Sequence, residues 1–298
     1  MRIRDLGEFG LIDRIKKNIK LDASVIKGTG DDCAVIEFNR HSYQLLTCDM
    51  IIEGVDFKHG EDPYLVGRKA LAVSLSDIAA CAGLPRYALV SLGLPEAASV
   101  KTADEICRGI LELAAEFKVN LVGGDVSRAK QLTLDVSISG VVEKRQLVLR
   151  NGALPGDVIF ATGSFGESIL GKHLRFIPRI KEARFLVKNF KVNSMIDVSD
   201  GLAQDLGHIL DESGVGAEIH EDLIPRYRKS TTLEEALYDG EDFELLFTLE
   251  ANQAKKLLAK KSGIFSPIGR ITGEKHKLRL VDRKCREKII KPKGYKHF

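Results

Sequence analysis

Residues 62–83 carry the sequence DPYLVGRKALAVSLSDIAACAG, and this stretch decides the fold. It predicts a long helix over residues 63–82, because Asp62 suits the N-cap, Pro63 the first helical position and Gly83 the end of the helix. Apolar side chains recur on one face of this helix at helical spacing, namely Leu71, Leu75, Ile78 and Ala82. We therefore expect the helix to be packed against its neighbours by that face.

Short apolar strands alternate with helices on both sides of this stretch. The pattern predicts strands at 43–48, 86–94, 120–122, 132–142, 157–162, 194–198 and 243–249, and helices at 103–118, 166–174, 201–213 and 251–262. Such a mixture is typical of layered α/β or α+β proteins. The turn-rich sequence RNGALPG at 150–156 predicts a boundary between an N-terminal domain, 1–149, and a C-terminal domain, 150–298.

Composition excludes several classes of protein. The 298 residues are 44% apolar and 29% charged, as in soluble globular proteins and unlike disordered or collagenous chains. No apolar run approaches the 18 residues of a membrane span, and the first 17 residues lack an apolar signal core. Five cysteines without a CxxC pair argue against a disulfide framework and a structural zinc site. We expect a cytoplasmic protein with no membrane association.

The C-terminal part of the chain is basic. Residues 259–298 hold 13 Lys and Arg against 3 Asp and Glu, in a chain whose net charge is only +3. Such a segment can be a nucleic-acid-binding arm or the solvated rim of a folded domain. We favour the rim, because apolar residues alternate within the segment and aromatic residues for base stacking are scarce.

Aspartates cluster at turns beside glycine, often directly after an apolar strand. The instances are Gly30-Asp31-Asp32, Asp49, Asp77, Gly124-Asp125, Asp197 to Gly201 and Gly240-Glu241-Asp242. Taken singly, each Asp-Gly pair is explained by turn formation. Asp77 is harder to explain in that way, because it interrupts a helical apolar pattern in which Asp is a poor helix former. Converging carboxylates repel one another unless cations lie between them, so we expect a nucleotide site with several Mg²⁺ ions.

Two other patterns carry less weight. Residues 166–173 nearly match the phosphate-binding pattern GxxxxGK[ST], but His173 stands where a hydroxyl should, and we interpret the match as a coincidence. The seven histidines show no triad or metal-binding spacing, and we expect them to be surface or packing residues.

Together the acidic motifs resemble the thiamine-monophosphate kinases over nearly the full length of the chain. The resemblance lies in GDDCAV at 30–35, TCDMIIEGVDF at 47–57, GRKALAVSLSDIAACAG at 67–83, LVGGDVSR at 121–128, IDVSDGLAQDLGHI at 196–209 and GEDFELLFT at 240–248. GEFGLI near the start and GYKHF at the end are also similar to that family. The resemblance implies the two-domain fold of aminoimidazole ribonucleotide synthetase, with a mixed N-terminal sheet that dimerises and a C-terminal α/β domain.

The activity implied by this resemblance is transfer of the γ-phosphoryl group of ATP to thiamine monophosphate, which gives thiamine diphosphate. Carried over by motif, the metal ligands are Asp32, Thr47, Cys48, Asp49, Asp77, Asp125, Asp197 and Asp200. The resemblance also implies ATP contacts at Gly124, Asp125, Arg150 and Ser199, and substrate contacts at Asp56, Glu241 and Tyr295. No general base is expected, because the acceptor is a phosphate oxygen that is largely ionised near neutral pH.

Two positions depart from the family pattern. Asp56 stands where the family usually has a substrate-contacting His, and a carboxylate there repels a substrate phosphate unless a cation intervenes. Cys48 replaces a hydroxyl residue, and a thiol is a soft ligand that suits Mg²⁺ poorly. Asp56 keeps a second hypothesis open, in which the chain is a related ATP-dependent kinase or synthetase that acts on another small molecule.

Overall fold

The computed structural model describes residues 2–296, which form seven helices and two sheets. The helices are α1 (Ile3–Lys16), α2 (Pro63–Ala80), α3 (Val100–Phe117), α4 (Ile180–Asn189), α5 (Leu202–Ser213), α6 (Leu233–Tyr238) and α7 (Ala251–Leu258). The strands of the first sheet are β1 (Val25–Lys27), β2 (Ala34–Glu37), β3 (Ser42–Ile52), β4 (Leu84–Leu94), β5 (Asn120–Arg128) and β6 (Thr133–Glu143). Those of the second are β7 (Val158–Thr162), β8 (Val192–Asp197), β9 (Gly216–His220), β10 (Leu245–Leu249), β11 (Phe265–Thr272), β12 (Leu278–Val281) and β13 (Glu287–Ile290).

The first sheet has the order β1-β2-β3-β6-β4-β5, with α2 and α3 on one face. Its side chains alternate as strands require: along β6, Leu134, Val136 and Ile138 are buried, whereas the residues between them are partly exposed. On the opposite face, apolar side chains are exposed at Leu46 and Leu89. We call this second surface the open face.

The second sheet has the order β13-β12-β9-β11-β7-β10-β8 and is covered on both faces. Phe160 and Phe247 belong to one core with α2, α4 and α7, and this core continues into the first sheet. Ile159 and Leu246 point the other way, into a core with α5 and α6. Helix α2 therefore lies between the two sheets, and it is buried over most of its length.

Helix α2 begins and packs as its sequence predicts. The Asp62 carboxylate accepts a hydrogen bond from the Tyr64 backbone N–H at 3.0 Å and caps the helix. Two glycines bring α2 and α3 together. A Cβ atom at Gly67 would lie 2.0 Å from the Ile106 carbonyl oxygen, and one at Gly109 would lie 2.0 Å from that of Tyr64. Only glycine permits so close a contact of two backbones.

The predicted helix at 166–174 is wrong. This segment forms two short 3₁₀ turns, Ser168–Leu170 and Lys172–Leu174, because Gly166, Glu167 and Gly171 all have positive φ and interrupt a helix. Lys172 in the near phosphate-binding match donates to the Ser164 carbonyl and to Asp242 at 2.9 Å. Its ammonium is thus held by protein groups, in agreement with a coincidental match.

The basic C-terminal segment is folded into the second sheet. Strands β11, β12 and β13 lie within it, and the Arg279 guanidinium pairs with Glu287 at 2.9 Å and with Glu274. Arg286 pairs with Asp282 at 2.6 Å. These contacts agree with the folded rim rather than with an arm. His297 and Phe298 of the GYKHF motif lie outside the described residues.

Within residues 2–296, no helix is both long enough and apolar enough to span a membrane. All five cysteines have free thiols.

Candidate active site

A cavity of about 740 Å³ lies between the two sheets, beside α2. Twelve of the fourteen residues implied by the family resemblance line it: Asp32, Thr47, Cys48, Asp49, Asp56, Asp77, Arg150, Asp197, Ser199, Asp200, Glu241 and Tyr295. The segments that carry them are far apart in the sequence and meet only in the folded chain. We call this cavity the cleft.

Asp32 lies in the loop before β2 and is almost fully buried. Its Oδ1 accepts hydrogen bonds from Arg150 at 2.6 Å (Nη2) and 3.2 Å (Nε). Arg150 follows the last strand of the first sheet, so its guanidinium ties the end of this sheet to the loop before β2. The other oxygen, Oδ2, is buried and has no hydrogen-bond partner among residues 2–296. A buried oxygen without a partner is costly unless a ligand satisfies it.

Asp49 and Asp77 come from β3 and α2. The Ser74 hydroxyl donates to Asp49 Oδ2 at 2.8 Å, and the Thr47 hydroxyl donates to Asp77. Strand alternation turns Thr47 and Asp49 toward α2 and turns Cys48, which lies between them, to the open face. The Cys48 thiol is exposed there, so the soft sulfur lies on the other face of β3 from the Asp49 carboxylate.

Asp197, the last residue of β8, completes the cluster from the second sheet. It is buried, and the Ser76 hydroxyl of α2 donates to its Oδ2 at 2.6 Å. One carboxylate oxygen from each of Asp32, Asp77 and Asp197 lies within 4.8 Å of the others. We call these three residues the acidic cluster.

Burial and mutual repulsion raise the pKa values of these carboxyl groups. Burial, together with the charge of Asp32, raises the pKa of Asp197 to about 8. Burial, with Asp135 and Asp32 nearby, raises the pKa of Asp49 to about 6. The pKa of Asp77 is raised by burial and then by Asp49, Asp197 and Asp32. Groups that repel one another in this way bind a divalent cation by exchanging it for protons.

The donor set of the acidic cluster fits Mg²⁺. All the donors are hard oxygens, which this ion prefers, and the buried Asp32 Oδ2 has no partner in the part of the chain that the structure describes. Among the described residues, ten with carboxyl groups line the cleft against one cationic residue, Arg150. Only added cations can make such a surface receptive to an anion.

The far end of the cleft is formed by two turns and the C-terminal segment. The Asp56 carboxylate accepts from the Ile52 backbone N–H at 2.7 Å. Glu241 has φ of +54° and donates its backbone N–H to the Ser199 carbonyl at 2.6 Å. The Tyr295 backbone N–H donates to the Asp200 carbonyl at 2.9 Å. These contacts bring the predicted substrate residues to the same end of the cleft.

Gly124 and Asp125 do not line the cleft of their own chain. They lie on β5, the edge strand, and line a separate pocket of about 430 Å³ beside α3. Asp125 pairs with Ser91 on β4. Strands β4 and β6 lie between β5 and β3, the strand that lines the cleft. At about 4.8 Å per strand, three steps amount to roughly 14 Å. The expectation that Asp125 joins the other aspartates within one chain is therefore wrong.

Sequence reasoning missed several residues that hold the site. Ser74 and Ser76 orient Asp49 and Asp197, and their positions three residues and one residue before Asp77 on one helix are the only sequence signal. Buried Asp205 accepts from the Asp200 and Gly201 backbone N–H groups at 3.0 and 3.1 Å and fixes the start of α5. Lys69 was missed because a lysine beside Arg68 is expected to be a solvated surface charge.

Two family models match the chain in sequence order. Residues 30–142 match the N-terminal domain of AIR synthase related proteins, and residues 160–281 match their C-terminal domain. Solved structures of the hydrogenase maturation protein HypE share this fold at lower identity. The E. coli protein is 16% identical with a TM-score of 0.73, and the match covers 96% of this chain and 98% of the other.

Curated proteins and a solved structure match over the full length. Thiamine-monophosphate kinase of Aquifex aeolicus is 35% identical, and the match covers 100% of both chains. The Bacillus subtilis enzyme of the same name is 35% identical, covering 98% of this chain and 100% of its own. A structure described as AaThiL complexed with AMPPCP and TMP matches with a TM-score of 0.87 at 33% identity, covering 100% of this chain and 99% of the other.

Proposed function

The chain belongs to the thiamine-monophosphate kinase family of AIR synthase related proteins, and from this we propose how its cleft performs the family's reaction. The enzyme phosphorylates thiamine monophosphate with ATP, and the two-domain fold and the activity expected from the sequence are confirmed. The metal ions, the roles of single residues and the oligomeric state are the parts that we propose.

We assign Mg²⁺ to the acidic cluster together with Asp49. The main support is that carboxylates far outnumber cationic groups among the described residues that line the cleft. Thr47, Cys48 through its backbone carbonyl, and Asp200 are further predicted ligands. When bound, Mg²⁺ neutralises the phosphate charges and aligns the attacking and leaving oxygens. Ser74, Ser76 and Thr47 hold three of the carboxylates in place through their hydroxyl groups.

The chain needs no general base for this transfer. A phosphate monoester has a second pKa of about 6, so the attacking oxygen is mostly ionised near neutral pH. Among the described residues that line the cleft there is no histidine. Arg150 is the lining residue suited to a nucleotide phosphate, and we assign it and Ser199 to ATP. Asp56, Glu241 and Tyr295 are assigned to the acceptor end.

We also propose that two copies of the chain associate through the open face. The exposed apolar residues there include Leu46, Tyr87, Leu89 and Val122, which line a shallow pocket of about 420 Å³. All nine residues of the neighbouring edge strand β5 are exposed. A second copy that covers this surface places Gly124 and Asp125 at the interface, where their predicted ATP and metal contacts are made across the dimer.

The domain boundary at 149/150 and the cytoplasmic location also remain proposals. The first sheet ends at Glu143 and the second begins at Val158, so the boundary falls between the two sheets. Five free thiols fit a reducing compartment.

An assay with ATP, Mg²⁺ and thiamine monophosphate tests the proposed function. We expect ADP and thiamine diphosphate in equal amounts, measured by coupled ADP detection and by chromatography of the thiamine product. A chain that hydrolyses ATP without forming thiamine diphosphate supports the second candidate, a related kinase or synthetase with another acceptor. Asp56 is the observation that favours this candidate, because its carboxylate lies at the acceptor end.

A further inference from the structure

Lys69 is a fully buried lysine in the middle of α2, with 0% of its side chain exposed. Its neighbours along the helix are mostly apolar and buried as well. Removing an ammonium group from water is costly unless charged or polar partners replace the water. A buried lysine at this position is therefore informative about the groups that it contacts.

Within the described residues, the Lys69 ammonium donates two hydrogen bonds, and both lie at the acceptor end of the cleft. Nζ donates to the Asp56 backbone carbonyl at 2.6 Å and to the Glu241 carboxylate. Asp56 is 13 residues away in the sequence and Glu241 is 172 away. A single side chain thus joins the turn after β3 to the turn before β10.

Glu241 is fixed on every side except the one that faces the cleft. Its backbone N–H donates to the Ser199 carbonyl, and its own carbonyl accepts from the Ser168 hydroxyl at 2.6 Å. Lys69 holds carboxylate oxygen Oε1, and the side chain remains 24% exposed. The positive φ of Glu241 is a conformation that an ordinary residue adopts only when its surroundings enforce it.

Lys69 also offsets the surplus of negative charge at this end. Burial and the charges of Asp56 and Asp242 raise the pKa of Glu241, and Lys69 acts in the opposite direction. Lys69 approaches from behind the turn and does not line the cleft. It can therefore hold Glu241 without contacting a bound substrate.

We propose that Lys69 is a positioning residue for acceptor recognition, which holds Glu241 so that its second carboxylate oxygen faces the substrate. This inference rests on the proposed function and specifies its acceptor side. The group that Glu241 meets is a cationic or N–H-bearing heterocycle, and thiamine carries both. Lys69 acts through Glu241, and the Asp56 carbonyl fixes the ammonium itself.

A purely structural ion pair predicts different behaviour. Loss of a structural pair lowers the stability of the fold and changes KM for ATP and KM for thiamine monophosphate by similar factors. Loss of a positioning residue raises KM for thiamine monophosphate and leaves KM for ATP unchanged, because the two substrates occupy different parts of the cleft.

The test compares Lys69→Met, Glu241→Gln and the double variant with the wild type, with kcat and both KM values measured at saturating Mg²⁺. We expect Lys69→Met to raise KM for thiamine monophosphate about tenfold or more and to change KM for ATP less than about twofold. The double variant should match Glu241→Gln within about threefold, because the lysine acts through the glutamate. The double variant leaves neither charge unpaired, so it also serves if Lys69→Met fails to fold.

Lys172→Met is the matched control, because Lys172 pairs with Asp242 in the same turn and is also largely buried. It should leave KM for thiamine monophosphate within about threefold of the wild type. An unchanged KM in Lys69→Met, equal increases for both substrates, or a double variant much worse than Glu241→Gln overturns the inference. A wild-type chain that does not turn over thiamine monophosphate instead overturns the proposed function.

Discussion

The Ser76 hydroxyl donates to Asp197 Oδ2 at 2.6 Å, and this bond joins residues 121 positions apart in the sequence. Ser76 lies on α2 beside the first sheet, and Asp197 ends a strand of the second. Both residues are almost fully buried. The acidic cluster therefore exists only when α2 is packed against both sheets, and the position of one hydroxyl group contributes to its geometry.

Replacing Ser76 with Ala should raise the Mg²⁺ concentration needed for half-maximal activity severalfold. The hydroxyl lowers the pKa of Asp197, whose value is already raised by burial, so its loss makes the proton harder to displace. Activity is titrated with Mg²⁺ at fixed ATP. Ser99→Ala is the control, because it removes the N-cap of α3 and costs about 1 kcal/mol without touching the cleft. An equal change in both variants contradicts a role for Ser76 in metal binding.

The metal-free protein should become less stable as pH rises from about 5 to about 8. The folded-state pKa values of Asp49, Asp31 and Asp197 are raised by burial and neighbouring carboxylates to about 6, 7 and 8, above the ordinary value of 3.8. In this window the folded chain binds more protons than the unfolded chain, so the free energy of unfolding falls with increasing pH. Thermal unfolding in EDTA across this range measures the effect.

Added Mg²⁺ should reverse this trend, because an ion that binds only the folded chain stabilises it. The increase in Tm with Mg²⁺ is expected to be larger at pH 8 than at pH 5, where protons compete. Asp197→Asn should flatten the pH dependence in EDTA and reduce the Mg²⁺ response. A Tm in EDTA that rises steadily over the window is incompatible with these shifted carboxyl groups.

The sequence predicted the fold well where a pattern is local. Helix α2 was predicted from its cap and its apolar face, and the acidic motifs indicated the cleft from residues that meet only in three dimensions. The 166–174 helix was predicted wrongly because periodicity does not register the positive φ of Glu167. The location of Asp125 was missed because strand order, which places β5 at the edge, is not visible in the chain.

The side chains that hold the site residues in place were not predictable for a similar reason. Lys69 contacts Glu241 across 172 residues, and nothing near Lys69 in the sequence marks a charged partner. Burial of a polar side chain depends on tertiary packing rather than on the local pattern.

Leu89→Asp should convert the proposed dimer into a monomer. Leu89 is 49% exposed in the single chain and lies on the open face, so a carboxylate there would be buried unpaired in the dimer. Light scattering coupled to size exclusion measures the mass. Val100→Asp is the control, because Val100 is 78% exposed at the start of α3, where Asp is favourable. A wild-type chain that is monomeric at all concentrations contradicts the proposed interface.

Asp77→Asn should reduce kcat by about a thousandfold while the chain stays folded. The amide keeps the size of the side chain and can still accept the Thr47 hydroxyl, but it removes a negative ligand from the acidic cluster. Circular dichroism and thermal unfolding establish the fold, and single-turnover kinetics measure the transfer. Asp104→Asn, on the exposed face of α3, should behave as the wild type. A rate close to that of the wild type in Asp77→Asn removes Asp77 from the metal site.

Asp56→Asn should lower KM for thiamine monophosphate with little change in kcat. The amide oxygen can still accept the Ile52 backbone N–H, so the turn is retained while a charge that repels the substrate phosphate is removed. Asp56→His introduces the residue that is usual in the family, but it removes the carboxylate that accepts the Ile52 N–H. We therefore expect any gain in affinity for thiamine monophosphate in Asp56→His to be accompanied by a lower Tm. Initial rates against thiamine monophosphate at several salt concentrations separate charge from shape, because only a charge effect weakens as salt increases. If KM in Asp56→Asn equals or exceeds that of the wild type at low salt, the Asp56 carboxylate does not repel the phosphate of the acceptor.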